Sequence, residues 1–415
     1  MLLPIQAPAA ALRADLERRR SPLAHMRDGA WLQVAQLLTR AAELVPGGDA
    51  AVQHERLFRS VIAFSADGTP PVMTGSLLSQ AVEVGTRTAT DMEDAGRFAL
   101  AASCLRALLV LVPASDIPRT HGELLNQLAR VARQMGEVAA AQTFYEEIEV
   151  LGEATGDDEL IGLAWLGQGV LHTLRGNHPQ GRGLYTRVLA HDGVGPQAIA
   201  MAHQMLLISA ASAGDLSTAA QHGWSAFNAA KRSEDASAAL VNLSQLLLDA
   251  GHPSPATKGF AHVLANASVA RLSLPALGGY AVAVARDRGL ASGATLRAAS
   301  HRLDEWEAVL DDGDSPGDAP GPRLSYQRAV AHLEMAVAFA TINESDVAER
   351  YRVRAQRIAQ AYDHHEIDWR AETLQTRASW PPVPAEMHQA RSVLLELGRM
   401  QTDDAQALAL EPSSA

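Results

Sequence analysis

Cysteine is almost missing from this chain: Cys104 is the single thiol in 415 residues. One thiol excludes an intramolecular disulfide and any cysteine-based metal site. Its neighbours Leu100, Leu105, Leu108 and Leu109 mark it as buried packing rather than a reactive group. Aromatic residues make up only 5% of a chain that is 47% hydrophobic, so alanine and leucine must fill the core, which is a helix-rich composition. Lysine is confined to Lys231 and Lys258, and the formal net charge is −12, which argues against a general nucleic-acid binder. Long apolar runs are missing too. The longest, from Phe98 to Pro113, contains Arg106 and is too short to span a bilayer. The N-terminus has neither the basic start nor the sustained apolar core of a secretory signal. The expectation is a cytoplasmic protein with no membrane partner.

Catalytic signatures are equally scarce. There is no HExxH, no GxSxG, no phosphate-binding Walker loop and no dinucleotide fingerprint. The glycine-rich stretch from Gly176 to Gly183 follows no strand. Asp363-His364-His365-Glu366-Ile367-Asp368 is the densest group of metal-ligand types, but adjacent histidines on a helix point about 100° apart and do not grip one ion together. The acidic segment from Asp311 to Pro322 lacks the alternate-ligand spacing and closing glutamate of a calcium loop and reads as a flexible linker. These absences predict a non-enzyme with no catalytic residue, no cofactor and no metal.

What the chain does have is a glycine that keeps returning. Gly96, Gly136, Gly176, Gly214, Gly251 and Gly289 follow one another at intervals of 40, 40, 38, 37 and 38 residues. Each lies in a polar turn between two alanine-rich apolar stretches. Self-similarity at such a period means stacked supersecondary units, each burying its apolar face on its neighbour. The second copy reads Leu125, Leu128, Ala129, Ala132, Gly136, Ala141, Tyr145, Ile148; the fifth reads Leu240, Leu243, Ser244, Leu247, Gly251, Ala256, Phe260, Val263. The third runs Trp165, Gln168, Gly169, His172, Gly176, Gly181, Tyr185, and the fourth His203, Leu206, Leu207, Ala210, Gly214, Asp215, Ala219, Ala226. The first copy (Gly85, Thr88, Ala89, Met92, Leu105) and the sixth (Gly278, Ala281, Val282, Ala285, Ala298) are poorer matches. A seventh, 54 residues beyond Gly289, emerges if Asn343 stands in for the turn glycine, with Ala348 and Ala355 at the small-residue sites.

The chemistry of the pattern is mechanical. Apolar residues at three- and four-residue spacing stripe helix A, and the glycine ends it with backbone angles other residues resist. Small residues at Ala101, Ala141, Gly181, Ala219, Ala256 and Ala294 let helix B approach, and Tyr145, Tyr185 and Phe260 fill the gap to the next unit. These residues resemble divergent bacterial tetratricopeptide repeats, although the period exceeds the usual 34 or so. The expected fold is all-α: a right-handed α-solenoid of six to seven degenerate helix-turn-helix repeats with flanking helices. Residues 1–74 would form an N-terminal helical segment or cap, 75–310 the array and 311–322 the linker. Residues 323–400 would hold the last repeat and capping helices, and 401–415 a disordered tail.

The resemblance implies that helix A lines a concave face. Positions 13, 10, 6, 3 and 2 before each turn glycine then point inward. The candidate partner-binding residues are Glu123, Asn126, Arg130 and Arg133 at a polar end, and Leu163, Leu166, Val170, Met201, Gln204, Ile208, Val241 and Gln245 beyond it. Asn126 with the two arginines suits a peptide backbone or carboxylate, and the apolar middle suits side chains of an extended or helical segment. The other reading of these positions is core, or a groove filled by the chain's own N-terminal helices. The leading expectation is a non-catalytic scaffold or adaptor for a protein or peptide, with homodimerisation left open. A ligand- or peptide-sensing regulator is the alternative, and an enzyme with an unrecognised site ranks third.

Overall fold

In the computed structural model, the described residues are 75–94, 96–112, 117–267, 269–311, 324–374, 387, 390–400 and 404–409. The expectations for residues 1–74, for most of the acidic linker and for the last residues of the tail lie outside them. The chain divides into two compact units, Met1–Leu171 and His172–Ala415, each taken by itself below. The fold is all-α, and within each unit helical hairpins pack on one another in sequence order. The helices are α1 (Gly75–Asp94), α2 (Phe98–Leu111), α3 (Pro118–Gln134), α4 (Val138–Thr155), α5 (Asp158–Leu174), α6 (His178–Leu189), α7 (Pro196–Ser212), α8 (Leu216–Ala229) and α9 (Ser233–Asp249). After these come α10 (Pro253–Asn266), α11 (Ala270–Arg288), α12 (Gly293–Asp311), α13 (Ser325–Thr341), α14 (Ser345–Ala361), α15 (His365–Glu372), α16 (Arg391–Gly398) and α17 (Asp404–Ala409). Odd-numbered helices through α13 are helix A of their repeat.

The turn glycines do what their recurrence predicts. Gly136 has φ +77° and Gly251 φ +83°, with Gly96, Gly176 and Gly214 close by. Each is closed by the same pair of backbone hydrogen bonds. In the second repeat the Gly136 amide donates to the Arg133 carbonyl and the Glu137 amide to that of Ala132, which satisfies carbonyls a helix end would otherwise leave open. Asn343 takes the role assigned to it, with φ +64° and the bonds Asn343 to Ala340 and Glu344 to Phe339. Helix starts are set locally: Asp215 accepts from the Thr218 amide at 3.1 Å, Asp157 from those of Glu159 and Leu160, and proline opens α3, α7 and α10.

In the first unit, Cys104, Leu105 and Leu108 of α2 join Leu124, Leu128 and Val131 of α3 in one core. The Cys104 thiol donates to the Gly85 carbonyl at 3.3 Å, and burial pushes it up to about 12, so it is packing, as expected. In the second unit one continuous core runs from Leu207 to Ala407. The small sites Ala101, Ala141, Ala219 and Ala256 are fully buried.

The sixth repeat departs from the pattern. Gly289 has φ +55° and ψ −135°, and a short 3-10 turn, Gly289–Ser292, is inserted before α12. The insertion moves the helix register, so the expected small site Ala294, and Ala298 of the same copy, are exposed while Leu296, Ala299 and Leu303 are buried. The long period has a plain cause: helix A of the middle repeats runs 17 residues and helix B 12 to 18.

The C-terminal helices do not extend the stack. In the second unit α16 packs on α8 and α10, and α17 on α10 and α12, all of them helices B or their counterpart. Only α15 packs on the last hairpin, against α13 and α14. Among the described residues, the helix-A side of this unit therefore carries no covering element beyond α15.

Candidate functional site

In the first unit, Glu123, Asn126, Arg130 and Arg133 share one face of α3 by their spacing of three, four and three residues. Arg130 is already engaged: its Nη2 donates to Glu93 Oε1 on α1 at 2.9 Å, and Gln127 donates to the same oxygen at 3.0 Å. Glu123 pairs with Arg119 on its own helix at 3.3 Å. Asn126 is half-buried. Arg133 keeps a buried Nε with no partner and lies against the Tyr145 phenol, whose proton burial holds on more tightly than usual. The polar end thus exists, with Arg130 held in place by a neighbouring repeat.

The apolar middle is partly core. Leu163 and Leu166 are buried, which corrects the expectation that they line an open face. Helix α5 is apolar on nearly all sides, and such a helix is enclosed rather than striped. Val170 is half-buried. In the second unit Met201 is half-buried, and Ile208 is 45% and Leu174 60% exposed. Gln204 reaches the Asp235 carbonyl on α9 at 3.5 Å. Val241 packs against the core, and Gln245 donates to Asp249 at 3.1 Å.

Sequence reasoning missed a cluster further along this helix-A side. Glu334 of α13 is buried, and its Oε2 has no hydrogen-bond partner. Burial pushes its carboxyl up to about 8, with Arg370 of α15, Asp249 of α9 and Arg286 of α11 acting on it in that order. Arg286 donates to the Leu248 carbonyl at 3.4 Å and enters no ion pair among the described residues. Arg370 lies 3.5 Å from Glu366. Tyr326 is exposed beside them, its phenol feeling Glu366, Arg370 and Glu334 after the larger effect of its own burial. Four alternate helices, α9, α11, α13 and α15, therefore bring Asp249, Arg286, Glu334 and Arg370 together, with Glu366 and Tyr326 beside them. The available signal was Glu334 itself, an acid between Leu333 and Met335 in an otherwise apolar stretch.

A second buried polar group lies on the opposite side of α13. Arg328 grips Glu307 of α12 with two bonds of 2.8 and 2.7 Å, and His332 lies 3.4 Å from the same carboxylate. Burial alone would raise Glu307, but the nearby His332 ring and the two bonds from Arg328 outweigh it and hold the carboxyl at about 2. His332 stacks on Tyr351 and Tyr351 on Phe339. This is an internal tie between α12, α13 and α14.

Asp363 forms a turn with φ +56°, His364 meets Ser325 Oγ at 2.9 Å, and Asp368 accepts from Gln360. Among the described residues no group of three or more metal-ligand side chains is gathered, and no helix is long and apolar enough to cross a membrane.

No protein-family model matches the chain, and no curated protein matches it. Among solved structures it is similar to the apo form of the quorum sensor NprR from B. thuringiensis, at 10% identity and a TM-score of 0.48, over 85% of this chain and 99% of that one. A likeness of this degree carries no argument about function. The class rests on the chain's own geometry, which is that of an all-α helical-repeat protein.

Proposed function

We propose that the protein is a non-catalytic, cytoplasmic binding protein that takes a segment of a protein or peptide along its helix-A faces. The observation that carries this reading is the helix-A side of the second unit, which no described element beyond α15 covers, and where half-buried Arg286 has no ion-pair partner among the described residues and lies near buried Glu334. A guanidinium held by the fold with no carboxylate bonded to it, although Asp249 lies near, is a preorganised carboxylate receiver. Exposed Ile208 and Leu174 earlier on the same unit suit apolar side chains. The hairpins resemble tetratricopeptide repeats, for which a partner along helix A is the natural expectation, although fold alone never settles function. The regulatory alternative draws support from Glu334, since an unpartnered acid between two repeats makes their packing sensitive to what binds beside it.

The test is affinity capture from native lysate with mass spectrometry, comparing wild type with two variants. One is Asn126→Ala, Arg130→Ala, Arg133→Ala and the other Arg286→Ala, Arg370→Ala. A partner retained by wild type and lost by either variant supports the reading and says which unit carries it. The same partner retained equally by all three overturns it.

A further inference from the structure

Glu334 occupies a notch cut for it in the neighbouring helix. A Cβ placed on Gly278 of α11 would lie 2.3 Å from Glu334 Oε2, 3.0 Å from its Cβ and 3.2 Å from Ala331 Cα. The two helices touch backbone to side chain there, with no room for water beside the carboxyl oxygen. That oxygen is out of solvent and unpartnered. The charged and titratable groups facing it are Asp249 from α9, Arg286 from α11, Arg370 from α15 and Tyr326 from α13 itself. Helices α12 and α14 direct Glu307 and Arg354 toward Arg328 and His332 on the far side of α13. Oε2 is thus dry and none of the facing arginines makes an ion pair with Glu334, so a charge in the notch would be only partly hydrated and would have no bonded counter-ion, which is costly.

We propose that the Glu334–Gly278 contact is a proton-operated latch: α11 and α13 stay closed while Glu334 is neutral and part to hydrate it when it is charged. Opening moves Arg286 relative to Arg370, and this gives the helix-A side of the second unit two arrangements. Its bearing on binding rests on the function proposed above; the latch itself does not.

The sign follows from linkage. The closed form keeps its proton to about 8, whereas the hydrated open form releases it near the ordinary 4.5. Between those values opening liberates a proton, so closure weakens tenfold for each unit of rising pH and is level outside the window.

The experiment is hydrogen exchange by mass spectrometry on the full chain from pH 5 to pH 9, corrected for the intrinsic pH dependence of exchange. The α7–α8 hairpin is the internal reference, and Glu334→Gln and Glu334→Met are run alongside. The expected result is wild-type protection in α11 and α13 that falls about tenfold per pH unit to about pH 8 and then levels. The reference hairpin should stay flat, and either variant that folds should lose the slope. Wild-type protection of α11 and α13 that is flat, or that parallels the reference hairpin, overturns the latch, as does a slope that survives in a variant. A latch present with Arg286→Ala, Arg370→Ala leaving partner capture unchanged would sink the binding proposal for this unit and leave the latch standing.

Discussion

The Tyr145 ring of α4 lies directly on the bare backbone of Gly167 in α5: a Cβ on that glycine would come within 2.0 Å of the ring. Phe260 of α10 meets Gly279 of α11 in the same way, at 2.3 Å. Both aromatics belong to a helix B and fill a socket that a glycine opens in the following helix A, which registers these two repeats on the next.

Gly167→Ala should destabilise the protein by about 1–3 kcal/mol, the range for overpacking a core. Pairing it with Tyr145→Leu should recover part of the loss, because the smaller side chain vacates the socket. Thermal unfolding of the two single variants and the double measures the coupling. Additive losses would mean that the ring and the glycine do not share one packing problem.

Gly136→Ala and Asn343→Ala should each cost about 1–2 kcal/mol, the penalty of a left-handed residue with a Cβ and no compensating side chain. Asn343→Gly should fall within about 0.5 kcal/mol of wild type, since both residues tolerate φ +64°. Denaturant midpoints decide it, and an Asn343→Ala variant as stable as wild type would contradict the turn assignment.

Glu307→Gln should cost about 3–5 kcal/mol, because it leaves buried Arg328 without its counter-charge. Its pH profile is the more specific readout. A carboxyl held at about 2 when folded and near 4.5 when unfolded contributes stability that is present above 4.5 and lost as the pH falls toward 2. Wild type should lose stability over that interval more steeply than Glu307→Gln.

Glu334 acts in the other direction. Its folded carboxyl is raised to about 8, so its effect is absent below 4.5 and costs stability progressively up to about 8. Unfolding midpoints of Glu334→Gln should therefore rise relative to wild type between pH 5 and pH 8. Midpoints that run parallel across that range would show the carboxyl to be solvated.

Arg130→Ala alone should change stability by no more than about 1 kcal/mol, since its ion pair with Glu93 is partly open to solvent. The triple variant with Asn126 and Arg133 should nonetheless abolish capture of a partner bound at the first unit. A folded triple variant that still retains the partner would move the contact elsewhere.

The recurring glycines, the small residues at fixed offsets and Asn343 as a glycine substitute were all legible in the chain, because each is a local demand: a left-handed turn or a close approach imposes a residue type within a few positions. Where a demand came from another repeat, the pattern was silent. Nothing near Gly167 or Gly279 names the ring that needs it. The register change after Gly289 depends on a 3-10 turn that no periodicity marks, and Leu163 with Leu166 proved to be core because burial belongs to the stack and not to the helix. By itself the sequence determined an all-α repeat protein, its turns and its aromatic spacers, since those follow from backbone sterics and helical period. Only the tertiary structure decided that Arg130 is held by Glu93, that the C-terminal helices cover the helix-B side, and that Asp249, Arg286, Glu334 and Arg370 meet. Their convergence is set by the superposition of four elements spread over more than a hundred residues, a distance across which hydrophobic pattern carries no information about which polar side chains will be neighbours.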